Sequence, residues 1–226
     1  MNELDHQLTL AINGCDRLFW DNVMYTITDT FSWSLVIVAL LVIIFKNNNW
    51  REAVLVYVSM ALLIFVADRI CSGMVKPLVE RWRPTQDPQL MYFVDVVRGY
   101  RGGGYGFFSG HACNTMCMAM FLSWLFRSPK VAIALFFWSI TTTFTRLYLG
   151  VHYLGDVCVG WTVGAILGFL FYVLMEKVHV KIGSKRLVSE QFTSTGYLKS
   201  DMDSFLAVIF FNYICVIIVA MTLGIG

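Results

Sequence analysis

Six apolar runs, each near the length of a membrane span, limit what this chain can fold into. They lie at about 23–45, 53–71, 109–126, 131–147, 156–175 and 205–224. About 20 helical residues cross the hydrocarbon core, where every backbone polar group must be satisfied within its own segment. The expected fold is therefore all-α, a polytopic membrane protein with six transmembrane helices. Ahead of them, residues 1–19 mix Leu4, Leu8, Leu10, Ile12 and Leu18 with Asp5, Gln7 and Asp16. That pattern reads as an N-terminal interfacial amphipathic helix, with packing on a partner helix as the alternative. No basic stretch precedes an apolar core there, so a cleaved signal peptide is not expected.

Composition excludes a soluble enzyme. Hydrophobic residues are 58% of the 226, mean hydropathy is +0.65, and charged residues are 14%, against about 25% in soluble domains. A formal charge of +2 gives no basis for nucleic-acid binding. Cys113, Cys117, Cys158 and Cys215 fall inside apolar runs and Cys71 ends one, so they read as small buried hydrophobes, not a disulfide framework. No second domain or repeat is evident, and residues 1–226 are taken as one integral-membrane domain with a motif-bearing core at 76–156.

Polar residues between the spans are few, which makes their placement informative. Arg146, His152 and Asp156 stand at fixed offsets between the fourth and fifth runs, and His152 and Asp156 share one face if that stretch is helical. Ionisable groups at a membrane boundary are costly to keep and mark functional sites by default. Lys76 and Arg83 are seven apart, nearly two helical turns, before Pro84. Taken alone they read as snorkelling cations. Ser109-Gly110-His111 opens the third span with an N-cap residue, and a helix start is a ready anion site. By itself it could equally be a plain cap.

With six spans, all three pieces fall on one membrane face. Two histidines and one aspartate could bind a metal, but the three cations oppose a divalent ion and favour an anion, and phosphate fits best. A neutral histidine can attack phosphorus when a carboxylate fixes its tautomer. Asp156, one turn beyond His152, has that spacing. The glycines at 102–106 read as a loop shaping the pocket mouth. His6 and His179 read as surface residues. Asp29 and Asp68 are open between pairing with a basic neighbour and facing the site.

Lys76-x6-Arg83-Pro84, then Ser109-Gly110-His111, then Arg146-x5-His152-x3-Asp156 resemble the motifs of the type 2 phosphatidic acid phosphatase superfamily, which holds membrane lipid phosphatases and soluble vanadium haloperoxidases. The resemblance implies that His152 is the nucleophile, Asp156 its orienting partner and His111 the acid that protonates the leaving oxygen. It also implies that Lys76, Arg83, Arg146, Ser109 and the Gly110 N–H hold the phosphoryl oxygens, with no metal or cofactor. Phe108 replaces the usual proline and Thr145 the usual serine, and neither change removes a catalytic group.

The expected function is hydrolysis of a lipid phosphate or diphosphate through a phosphohistidine, with undecaprenyl diphosphate ranked first. A lipid A phosphatase follows closely, then a phosphatidylglycerol phosphate phosphatase. A non-enzymatic lipid-phosphate binder or transporter is the alternative of a different class. Partners are the lipid substrate and the bilayer. The expected location is a bacterial inner membrane with the site facing outward. Nine of the seventeen basic residues lie on the far face and eight on the site face, and nine against five results if Lys76, Arg83 and Arg146 are reserved for chemistry.

Overall fold

The computed structural model describes residues 3–15, 17–182 and 189–223. They are helical apart from turns, loops and one isolated antiparallel bridge between Phe192 and Leu198. In chain order the helices are α1 (Glu3–Ile12), α2 (Leu18–Thr28), α3 (Ser34–Asn47), α4 (Trp50–Asp68), α5 (Lys76–Val79), α6 (Gly110–Phe126), α7 (Pro129–Tyr148), α8 (Leu154–Ile182) and α9 (Lys199–Thr222). Among the described residues, five segments are long and apolar enough to cross a membrane: Thr30–Asn47, Trp50–Gln86, Pro129–Tyr148, Leu154–Ile182 and Lys199–Thr222. The third expected span, α6, has 17 residues.

The first expected span, 23–45, is two helices. The chain breaks after Thr28, where the Asp29 carboxylate accepts a hydrogen bond from the Phe31 N–H at 3.2 Å, and a 3₁₀ turn leads into α3. Asp29 is thus a cap rather than a site residue. The second span runs past its expected end. Asn49 and Glu52 form a capping box that opens α4, and the helix widens into a π-type stretch at Arg69–Val75 before α5. Pro77 supplies the reason: it donates no hydrogen bond, and its ring crowds the carbonyl four residues back. Asp68 accepts from the Ser72 hydroxyl at 3.0 Å.

At Glu80 the backbone turns left-handed (φ 49) and the helix stops. Lys76 and Arg83 therefore do not share a helix face, because Arg83 sits in extended backbone. The stop comes four residues before Pro84, where the sequence placed it.

α6 is the centre of the bundle. Its Cys113, Cys117, Ala119, Phe121 and Phe126 are fully buried, packed with Ile44, Leu63 and Phe205 from the surrounding helices. Ser109 caps its start. Phe108, just ahead, is buried, and its carbonyl accepts from the Cys71 thiol at 3.2 Å.

On one flank α6 meets α8 through Gly160, Gly164 and Gly168. A Cβ at Gly160 would stand 2.7 Å from the Ser109 carbonyl oxygen, and Cβ atoms at the other two would collide with the carbonyls of Cys113 and Cys117. Matching steps of four on both helices make the pair parallel and in register. Close approach through small residues is the usual way membrane helices gain packing contact.

At the far end of the bundle, His179 is buried beside Glu52, with Nε2 and Oε1 3.1 Å apart. It is a structural contact rather than the surface residue expected. Asp201 accepts from Lys46 at 2.7 Å and Asn47 at 2.8 Å, tying α3 to α9. Of the nine basic residues expected on the far face, Lys185 and Arg186 lie outside the described residues. Cys71, Cys113 and Cys117 are buried as expected, whereas Cys158 is exposed.

Candidate active site

Two tight turns bring the site together. The first joins α7 to α8, where Gly150 takes φ 64 and lets the chain reverse so that His152 sits just ahead of α8. The second is the return of the 80–109 loop. The Thr85 N–H donates to the Gly150 carbonyl at 3.1 Å, and the Gly106 N–H donates to the Arg81 carbonyl at 2.7 Å. Arg101 donates to the Thr85 carbonyl at 2.7 Å and closes the loop on itself.

His152 is buried to 2% exposure. Its Nδ1 lies 3.3 Å from Asp156 Oδ2, and its Nε2 lies 3.1 Å from Arg83 Nη1. A guanidinium only donates, so Nε2 must accept, and the ring proton belongs on Nδ1, directed at the carboxylate. Burial, followed by the charges of Arg83, Arg146 and Lys76, pushes His152 well below the usual histidine range. The imidazole is therefore neutral, with its lone pair on the ring edge facing the cations.

The aspartate is held on every side. Asp156 Oδ2 also accepts from the Tyr153 N–H at 3.0 Å, and Oδ1 accepts from Arg81 Nη1 at 2.5 Å. Arg81 in turn reaches Asp5 of α1 at 2.6 Å, and the other Asp5 oxygen takes the Gly155 N–H at 3.1 Å. The Arg81 guanidinium lies over the Tyr153 ring at 4.1 Å, and His6 stacks on that ring at 5.4 Å between centroids. Tyr153 donates its hydroxyl to Asp87 at 2.7 Å, and burial together with that bond raises its phenol above the ordinary range.

Arg83 does more than face His152. It donates to the carbonyls of Gly103 at 2.9 Å, Gly104 at 3.0 Å and Val151 at 2.9 Å. The glycine cluster thus forms a backbone cradle for Arg83 rather than a loop at the pocket mouth. Gly106 is also pressed against the site, since a Cβ there would stand 3.3 Å from Asp156 Oδ2. Arg146 is buried and donates to the Thr28 hydroxyl at 2.7 Å and the Tyr100 hydroxyl at 3.0 Å. Lys76 approaches the start of α6, its Nζ 3.9 Å from where a Cβ on Gly110 would be. His111, on the first turn of α6, lies within electrostatic reach of His152, Lys76, Arg83 and Arg146. The Ser109 hydroxyl accepts from the Ala112 N–H at 3.4 Å, while its own N–H donates to the Asp156 carbonyl at 3.0 Å.

All eight residues picked from the sequence converge here. Arg81, Asp5 and Tyr100 were missed. Arg81 looked like one more basic residue beside Arg83, and nothing local marks Asp5 as the partner of a residue 76 positions away. His6, expected at the surface, instead lies against Tyr153. Among the described residues, no three His, Cys, Asp or Glu side chains are placed to share a metal ion.

Known proteins resemble this chain in sequence and in fold. Residues 52–179 match the model of the PAP2 superfamily. A lipid A 4'-phosphatase from Bacteroides thetaiotaomicron is 38% identical over 185 residues, 81% of this chain and 82% of that protein. One from Porphyromonas gingivalis is 33% identical over 172 residues, 75% of this chain and 72% of that protein. Among solved structures, the transmembrane PAP2 type phosphatidylglycerolphosphate phosphatase from Bacillus subtilis superposes with a TM-score of 0.59 at 24% identity, covering 77% of this chain and 86% of that one. That likeness concerns the fold.

Proposed function

Because this chain belongs to the PAP2 superfamily and is a membrane phosphatase, we propose that it removes the 4'-phosphate of lipid A. The substrate choice rests on the two lipid A 4'-phosphatases, each matched over more than two thirds of its length. Undecaprenyl diphosphate, ranked first from the sequence, has no specific support among these relatives.

The observation that carries the chemistry is the fixed ring of His152. With Nδ1–H held by Asp156, Nε2 attacks phosphorus as the bond to the leaving lipid oxygen breaks, and His111 protonates that oxygen. Asp156 stabilises the imidazolium that results. Arg83 turns from Nε2 to the phosphoryl oxygens, joined by Lys76, Arg146, Ser109 and the Gly110 N–H, so fixed positive groups meet the charge that develops. Water, with His111 now as base, then attacks the phosphohistidine and releases phosphate.

The placement reading goes with this. α6, at 17 residues, is roughly 26 Å long, enough to serve as a sixth span in the middle of the bundle. α1 lies across the site face as the amphipathic element. Of the eight basic residues on that face, Arg81, Arg83 and Arg146 are bonded and largely buried in the fold, and Lys76 faces α6. Arg17, Arg69, Arg98 and Arg101 remain to bias topology, four against nine on the far face, which supports a site facing outward from a bacterial inner membrane.

The test is purified protein in detergent, with chelator, given lipid A, undecaprenyl diphosphate and phosphatidylglycerol phosphate side by side. Wild type is expected to release phosphate fastest from lipid A, and His152→Ala to release none while staying folded. Faster release from either other lipid overturns the substrate assignment. Full activity in His152→Ala overturns the nucleophile, and loss of activity with chelator overturns the metal-free chemistry.

A further inference from the structure

Tyr100 lies in none of the three motifs, yet two of the cations expected to hold phosphate surround it. Arg146 donates through Nη2 to the Tyr100 hydroxyl at 3.0 Å, and its Cζ lies 5.3 Å from the centroid of the Tyr100 ring. Arg83 is within electrostatic reach of the same phenol.

The loop is shaped to put it there. Arg98 and Gly99 take left-handed φ values of 52 and 72, and the Tyr100 N–H closes the turn on the Val97 carbonyl at 3.0 Å. Arg98 donates to Asn22 Oδ1 at 2.5 Å and lies 5.3 Å over the Tyr25 ring. Tyr25 in turn meets Tyr100 edge-on, with centroids 6.2 Å apart and planes at 87°. Tyr100 also packs against the buried cluster of Val97, Tyr148, Leu149 and Val151. A ring locked by packing on this scale places its polar end with the precision that a site needs.

The hydrogen-bond inventory gives the phenol something to donate. A guanidinium only donates, so the Tyr100 oxygen accepts from Arg146 and keeps its own proton for another acceptor. A bond received from a cation polarises the hydroxyl and strengthens the bond it gives. Tyr100 is half-buried rather than sealed in the core. Thr28 makes the contrast, because its hydroxyl already takes the other end of the Arg146 fork, Nη1, at 2.7 Å. Support of Arg146 would account for a second hydroxyl there, but not for its nearness to Arg83. A phosphoryl dianion offers only acceptors, which suits a group left with a proton to give. A neutral donor also adds a hydrogen bond without adding to the repulsion among Lys76, Arg83 and Arg146.

We propose that Tyr100 is a further phosphate-binding residue of this site, donating its hydroxyl to a phosphoryl oxygen held by Arg83 and Arg146. The proposal rests on the phosphatase reading and deepens it. Because the contact is to the phosphoryl group itself, it is the same for every substrate, whatever the tail.

The test is Tyr100→Phe, which keeps the ring and its packing and removes the hydroxyl, so its melting point should match wild type. Orthovanadate, which takes the five-coordinate shape of a transferring phosphoryl group, is the probe in binding measurements. Hydrolysis of lipid A and of a short-chain soluble phosphate ester is followed alongside. Loss of one hydrogen bond to a charged group is expected to weaken both vanadate binding and kcat/KM by roughly 10- to 100-fold, equally on the two substrates. Arg146→Lys keeps the charge but gives up the fork that reaches Tyr100, and adding Tyr100→Phe in that background should lower vanadate affinity again. If wild type binds no vanadate, or binds it no better than Tyr100→Phe does, the proposal is overturned. A loss that vanishes in the Arg146→Lys background also overturns it, since Tyr100 would then act only as a support for Arg146. So does a loss confined to lipid A, which would make Tyr100 a contact for the lipid and not for phosphate. If wild type shows Tyr100-dependent vanadate binding yet hydrolyses neither substrate, the phosphatase reading fails and the phosphate contact stands.

Discussion

On one flank, α6 lies so close to α8 that a methyl group at Gly160, Gly164 or Gly168 would strike its backbone. On the opposite flank, the same helix borders an open cavity of about 650 Å³ shared with α3, α4 and α7. The two flanks do different jobs. The closed one joins the helix that carries Ser109 and His111 to the helix that carries Asp156, with His152 immediately ahead of it. No side chain in between can shift and change that spacing. The open one has lost packing contact that a monomeric bundle would otherwise keep, and the space suits a lipid tail. Rigid spacing of the candidate site residues and open space are thus divided between two sides of a single helix.

The largest expected effect comes from breaking the closed flank. Gly164→Leu should abolish phosphate release from short and long substrates alike and lower the thermal unfolding midpoint. Even an alanine there is expected to cost about 1–3 kcal/mol by overpacking. Unchanged melting and activity would show that the α6–α8 spacing does not matter.

Next is Arg81→Met, which leaves Asp156 buried without its cation. Removing one partner of a buried pair costs about 3–5 kcal/mol. Because Arg81 acts through Asp156 and His152, kcat should fall while KM changes little. A selective rise in KM would instead make Arg81 a substrate-binding group.

Filling the open flank should do the reverse of breaking the closed one. Ala61→Phe, at the cavity wall, is expected to lower the long-chain to short-chain ratio of kcat/KM by roughly tenfold. An unchanged ratio would mean the tail runs elsewhere.

The smallest effect is that of pH. His152 is held neutral by burial and nearby cations, so the acid limb of kcat/KM should lie below the ordinary histidine value of about 6.5. Below that value the unfolded chain binds a proton at this residue that the folded chain refuses, so stability should fall as pH drops. An acid limb at or above about 6.5, together with a flat stability profile, would show that the ring is not sequestered.

The site was legible because ionisable residues are rare in an apolar chain, and His152, Asp156, Arg146 and His111 are conspicuous for that reason. Its supports were less legible. Arg81 sits two residues from Arg83 and carries the same charge, and only the left-handed turn at Glu80 sends the two in different directions. The break after Thr28 had a polar signal in Thr28-Asp29-Thr30, but the apolar residues on both sides outweighed it. The spacing of Gly160, Gly164 and Gly168 was also present in the sequence. What it meets on α6 depends on tertiary packing that no local pattern encodes. His179 shows the same limit, since its partner Glu52 lies 127 residues away.

The link from Asp5 through Arg81 to Asp156 has a consequence for the order in which the protein is made. Its three members come from the first helix, the loop after the second span and the start of the penultimate helix. A nascent chain emerging from the ribosome therefore holds Asp5 and Arg81 ready while the residue they orient has yet to be translated. The candidate site is finished only when α8 docks, so a chain stalled before residue 156 lacks the proposed nucleophile–carboxylate pair.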